Sequence, residues 1–162
     1  MTLEPLILKM ISYDHGSPER IQHFLKVHSF AKTIAVSEQL DEKTLFITEA
    51  AAIVHDIGIR LCLEKYGDGN GKLQEKEGPA LAEQMLSELR FEKDVIERVS
   101  FLVGHHHTYT GIDGLDYQIL VEADFLVNLF EGNTDTAHIR ATYDNIFRTE
   151  TGKKICREMF GL

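Results

Sequence analysis

Apolar residues recur at intervals of three and four along almost the whole chain, and strict apolar–polar alternation is hard to find over any useful length. A period near 3.6 buries one stripe of a helix, whereas a period of two buries one face of a strand. The sequence therefore predicts an all-α fold of about seven to eight helices. Its 162 residues have the size of one domain, so residues 1–162 are expected to close around a single core.

Local signals divide the chain. Ser17-Pro18 joins an N-cap residue to a first-turn proline and opens a helix at about 18 to 40, whose buried stripe includes Phe24, Val27, Ala31 and Ile34. A helix at about 43 to 56 carries the run Ala50-Ala51-Ala52-Ile53-Val54 and ends near His55-Asp56-Ile57-Gly58. The stretch YGDGNG at 66 to 71 holds three glycines in six residues and reads as a loop bordering the functional site. Gly78-Pro79 reads as the next helix start, and helices follow at about 79 to 89, 92 to 105, 115 to 130, 135 to 147 and 150 to 159.

Charge and composition narrow the function. A formal charge of −9 is the wrong sign for a surface that neutralises a nucleic-acid backbone. No apolar run approaches the roughly 20 residues of a membrane span, and the N-terminus MTLEPLILKMISYDHG lacks the basic start of a signal peptide. A cytoplasmic protein is expected, with Cys62 and Cys156 as free thiols because they share no CxxC spacing. An acidic protein that handles an anionic substrate needs concentrated positive charge at its site, and a bound metal ion supplies it.

Four residues break the apolar pattern in a way that suits such an ion. His23 lies on the buried stripe of the 18 to 40 helix, and His55-Asp56 ends a very apolar segment. Asp124 interrupts the apolar run from Ile119 to Val127. A buried carboxylate costs several kcal/mol unless a cation or donors meet it, and each buried imidazole nitrogen needs a partner. As capping and core hydrogen-bonding residues the four would be unremarkable one by one; together they make a ligand set. Mixed nitrogen and oxygen donors fit Mn, Fe, Co, Ni or Zn, with Mg less at home beside imidazole.

The order His23, His55-Asp56, Asp124 resembles the H…HD…D signature of the HD superfamily, helical metal-dependent phosphohydrolases. The segments QHFLKV, AAAIVHDIG and LVEADFL resemble the family's first-ligand, central and terminal motifs, and the likeness covers residues 20 to 130 or so. It implies an HD-type domain whose signature-bearing core is followed by C-terminal helices at 135 to 160, with His23, His55, Asp56 and Asp124 as metal ligands. His28 is a rival for the first position. His23 stands 32 residues before His55, as in the family pattern, and His28 lies about 140° around the helix from it.

The resemblance also assigns further roles. His105-His106-His107 resembles the extra histidines that many members place before the final aspartate; three in a row cannot share one helix face, and His105 and His106 are the candidates. Bimetallic members carry another histidine where this chain has Gln74-Glu75, so one ion is expected and a second is left open. Glu75 is a candidate replacement ligand, or a general base or acid. A common variant follows HDIG with lysine; here Ile59 and Arg60 follow, and Arg60, Arg20 and Lys26 are candidate phosphate contacts, Arg20 foremost because its guanidinium can bind two oxygens at once.

The function so implied is hydrolysis of a phosphate ester, mono- or diester, by a metal-activated water. Asp56 would both ligate the metal and orient the nucleophile, with His105, His106 or Glu75 handling protons. The expected partner is a small phosphorylated molecule, a nucleotide among the candidates, and self-association into a homo-oligomer is left open. Two other classes remain: a di-iron oxygenase on the same fold, and a non-catalytic metal- or nucleotide-binding regulatory module.

Overall fold

The computed structural model describes residues 1–162 and contains nine helices and no strand. They are α1 (Glu4–Tyr13), α2 (Pro18–Ser37), α3 (Glu42–Val54), α4 (Gly58–Tyr66), α5 (Gly71–Glu88), α6 (Lys93–Val103), α7 (Leu115–Glu131), α8 (Thr136–Ile146) and α9 (Glu150–Phe160). Four starts are fixed by side chains that accept a backbone N–H: Asp41 from Thr44, Asn70 from Leu73, Asp135 from His138 and Thr149 from Gly152. No helix is long and apolar enough to cross a membrane.

The apolar stripes meet in one core of 34 buried residues that draws on both ends of the chain, from Leu6 and Met10 of α1 to Cys156 of α9. Helix α2 lies against α3 and α7, and α3 also packs on α6 and α7. The α5–α6 pair stands to one side, with α4 against α5. Helices α8 and α9 close on α7.

The seven segments read from the sequence are all helical, with three differences. Those segments do not include α1, although Leu6 and Met10 give it a buried edge at i, i+4. Nor do they include α4, which follows His55-Asp56 after a single tight turn, so the HD pair sits at a joint between two helices. The third is a correction, because α5 begins at Gly71 and Pro79 lies inside it. The Asn70 cap and the buried stripe Gln74, Gly78, Ala82 carry the helix through a proline whose interior cost is about 3 kcal/mol.

Gly78 has a different task from starting a helix. A Cβ there would stand 2.7 Å from Val103 Cγ1, and one on Gly58 would stand 3.2 Å from the Gly78 backbone. The α4 start, α5 and the end of α6 thus approach at a distance that only glycine allows. The glycine-rich stretch ends α4 through Gly67, whose positive φ of 66° lets its N–H reach the Leu63 carbonyl. At its far end Gly71 lies against the His107 ring, with room for no Cβ.

Candidate metal centre

Three helices bring four atoms that could ligate a metal within 4.8 Å of one another. His23 comes from α2, His55 and Asp56 from the α3–α4 joint, and Asp124 from the middle of α7. His23 Nε2 lies 3.2 Å from His55 Nε2, 3.1 Å from Asp56 Oδ2 and 3.2 Å from Asp124 Oδ1. His55 Nε2 is 3.3 Å from each of the same two carboxylate oxygens. An ion held at roughly 2.0–2.1 Å by four ligands spaces them by roughly 3.3 Å, so the set fits a first-row divalent ion. His28 takes no part and instead pairs with Glu49 at 2.9 Å.

The nitrogens that face inward are chosen by what holds the opposite side of each ring. His55 Nδ1–H donates to the Ala52 carbonyl at 2.7 Å, and His106 Nδ1–H donates to the Val103 carbonyl at 2.8 Å. His23 Nδ1–H is shared between the two oxygens of Glu131 at 3.2 and 3.3 Å. Each ring thereby turns its Nε2 toward the carboxylates.

A second donor group adjoins the first through Asp56, joining it to His106 and His107. His106 is fully buried, and its Nε2 has no hydrogen-bond partner; it stands 3.4 Å from Asp56 Oδ1. Buried polar nitrogens are rarely left unpaired, and an ion beside Asp56 Oδ1 would satisfy this one. His107 Nε2 meets the Gln74 side-chain oxygen at 3.1 Å, while the Gln74 amide donates to the Gly69 carbonyl.

The groups that meet the Asp56 and Asp124 carboxylates directly are imidazoles. Burial alone would lower the His23 pKa, but hydrogen bonds to Asp124 and Asp56 raise it to about 9. Burial likewise opposes protonation of His55, and the charges of Asp56 and Asp124 override it. Burial would raise the two carboxylates, yet the histidines, His55 first, hold both well below the usual range. The carboxylates therefore demand positive charge, and a divalent ion would displace the protons that otherwise meet it.

Arg20 lines a cleft of about 210 Å³ with Glu19, His23, Asp56, Ile59, Asn128 and Glu131, and its Nε donates to Asp14 at 3.2 Å. Lys26 and Arg60 do not line it. Lys26 pairs with Glu131 at 2.8 Å, and Arg60 donates to the Tyr13 carbonyl at 2.7 Å and to Glu64. Glu75 belongs to neither donor group; it accepts from Thr108 Oγ at 2.8 Å. The histidine run requires a correction, because His105 turns outward and stacks on Phe101 with centroids 4.0 Å apart. Three consecutive side chains cannot all face inward from one turn, and His106 and His107 are the pair brought beside Asp56.

Glu131 and His107 were missed from the sequence. Glu131 carries a usable signal: Asp124, Asn128 and Glu131 fall at i, i+4 and i+7, one polar line along the second half of α7, where the residues between them are all apolar.

A helical domain with a buried histidine–aspartate centre is the class that fold and site define. The sequence model of the HD domain family matches residues 20–133, most of the chain, and the chain belongs to that family. It is also similar to the crystal structure of a predicted HD superfamily hydrolase from an uncultured Thermotogales bacterium. The TM-score is 0.71 at 24% identity, covering 98% of this chain and 86% of the other, a likeness of fold. Comparison with curated proteins finds no match.

Proposed function

We propose that this protein is a metal-dependent hydrolase of phosphate esters and acts on a small phosphorylated molecule. The observation that carries the reading is the convergence of His23, His55, Asp56 and Asp124, each histidine nitrogen 3.1 to 3.3 Å from both carboxylates, at the edge of a cleft that His23 and Asp56 line together with Arg20. An ion bound there would supply positive charge for phosphoryl oxygens and lower the pKa of a water.

The residues divide the remaining work. His23, His55 and Asp124 would hold the ion, and Asp56, whose second oxygen is turned toward His106, would ligate through one oxygen and orient the water with the other. Arg20 is the one arginine or lysine in the cleft, and its terminal guanidinium nitrogens suit a phosphate edge. Elsewhere Glu19, Asp56 and Glu131 line the cleft and repel an anion, which makes productive binding depend on the ion and Arg20 together. His106 would serve as proton acceptor through Nε2, or join Asp56 and His107 around a second ion. Hydrolysis is favoured over oxygen-dependent di-iron chemistry because the second group offers just three donors, with the Gln74 amide facing His107 where a stronger ligand would be needed.

The test is a panel of phosphomonoesters and phosphodiesters, nucleotides included, offered with Mn, Co, Ni, Zn, Fe and Mg in turn. Metal-dependent turnover that a chelator abolishes is the expected result. A metal-loaded protein that turns over nothing on the panel would move the assignment to a binding or regulatory module.

A further inference from the structure

The four ligands account for one end of each imidazole, and the other end of His23 is held unlike the rest. His55 and His106 give their Nδ1–H to backbone carbonyls three residues back, Ala52 and Val103, so their own helices orient them. His23 gives its Nδ1–H to a carboxylate from a different helix, Glu131 at the end of α7, which reaches both oxygens to within 3.3 Å. Glu131 is in turn held by Lys26, one turn along α2 from His23, at 2.8 Å.

From this geometry we infer that Glu131 is a positioning residue that sets metal affinity through His23, with Lys26 anchoring the carboxylate. The inference rests on the metal reading above. A carboxylate on Nδ1 fixes the tautomer with its lone pair on Nε2 and makes that nitrogen a stronger donor. It also locks the ring at the angle that puts Nε2 3.1 to 3.2 Å from Asp56 and Asp124. The same side chain bridges α7 to α2, so the helix that supplies Asp124 also orients the first histidine. Glu131 is about one third exposed and takes no part in the apolar core, so its removal should spare the fold.

The experiment uses the full chain stripped of metal and titrated with Co²⁺ and with Zn²⁺ against a chelator of known affinity. Glu131→Ala should weaken binding by about 10- to 100-fold and alter the visible Co²⁺ absorption, with little change in the melting temperature of the metal-free protein. Glu131→Gln keeps an acceptor for Nδ1–H and loses the charge, so its affinity should recover part of the way to wild type. Wild-type affinity and an unaltered Co²⁺ spectrum in Glu131→Ala would overturn the inference, as would a loss that merely follows melting temperature with no recovery in Glu131→Gln. A wild-type chain that binds neither ion would overturn the metal reading itself and this inference with it.

Discussion

Replacing Asp56 with alanine is expected to empty the metal centre and lower phosphoester hydrolysis by about a thousandfold or more, a loss of roughly 4 kcal/mol in transition-state stabilisation. The size of the effect follows from position. Asp56 Oδ2 lies 3.1 and 3.3 Å from the nitrogens of His23 and His55, while Oδ1 faces the unpaired nitrogen of His106 at 3.4 Å. It is the one side chain common to both donor groups. Asp124→Ala should also lose the first ion, but it leaves Asp56 beside His106 and His107, so any residual ion in that variant would sit in the second group. Metal content by elemental analysis after desalting, measured beside activity, checks both variants. Neither substitution touches the apolar core, and both proteins should stay helical by circular dichroism. Metal content equal to wild type in both would refute the ligand assignment.

The second large effect concerns stability. Glu122 is fully buried on α7, and its carboxylate accepts four hydrogen bonds: from the Gln118 amide at 2.6 Å, the Arg148 and Thr149 backbone N–H groups at 3.0 and 3.1 Å, and the Thr149 hydroxyl at 2.7 Å. These bonds tie the corner between α8 and α9 to the core helix. Gly152 belongs to the same arrangement, since a Cβ there would fall 1.9 Å from Glu122 Oε1. Glu122→Ala leaves several buried donors without a partner and should cost about 3–5 kcal/mol. For a chain of this length that lowers the melting temperature by about 10 °C or more. Glu122 is outside both donor groups, so the folded variant should still bind metal. A melting temperature within a degree or two of wild type would show that these bonds contribute little.

What could be read from the sequence was whatever depends on pattern within one helix. The long helices followed from their apolar stripes. His23, His55, Asp56 and Asp124 stood out because each is a polar residue on a stripe that should be buried, and burial demands a partner. Helix α4 escaped because it is nine residues long and buries only Gly58 and Cys62. The start of α5 was misplaced because Gly78-Pro79 is strong local punctuation, whereas the deciding features are the Asn70 cap and a stripe that faces α4 and α6. The choice among His105, His106 and His107 depends on how the turn after α6 is aimed, and spacing carries no information on that. Lys26 and Arg60 illustrate the same limit: their cationic ends go to Glu131 and to the Tyr13 carbonyl, partners set by packing.

The most direct test is to crystallise the protein with Mn²⁺ or Zn²⁺ and locate the ion by its anomalous scattering. The ion is expected about 2.0–2.3 Å from His23 Nε2, His55 Nε2, Asp56 Oδ2 and Asp124 Oδ1. An ion bound elsewhere, or a centre that takes His28 and leaves His23 free, would contradict the ligand assignment.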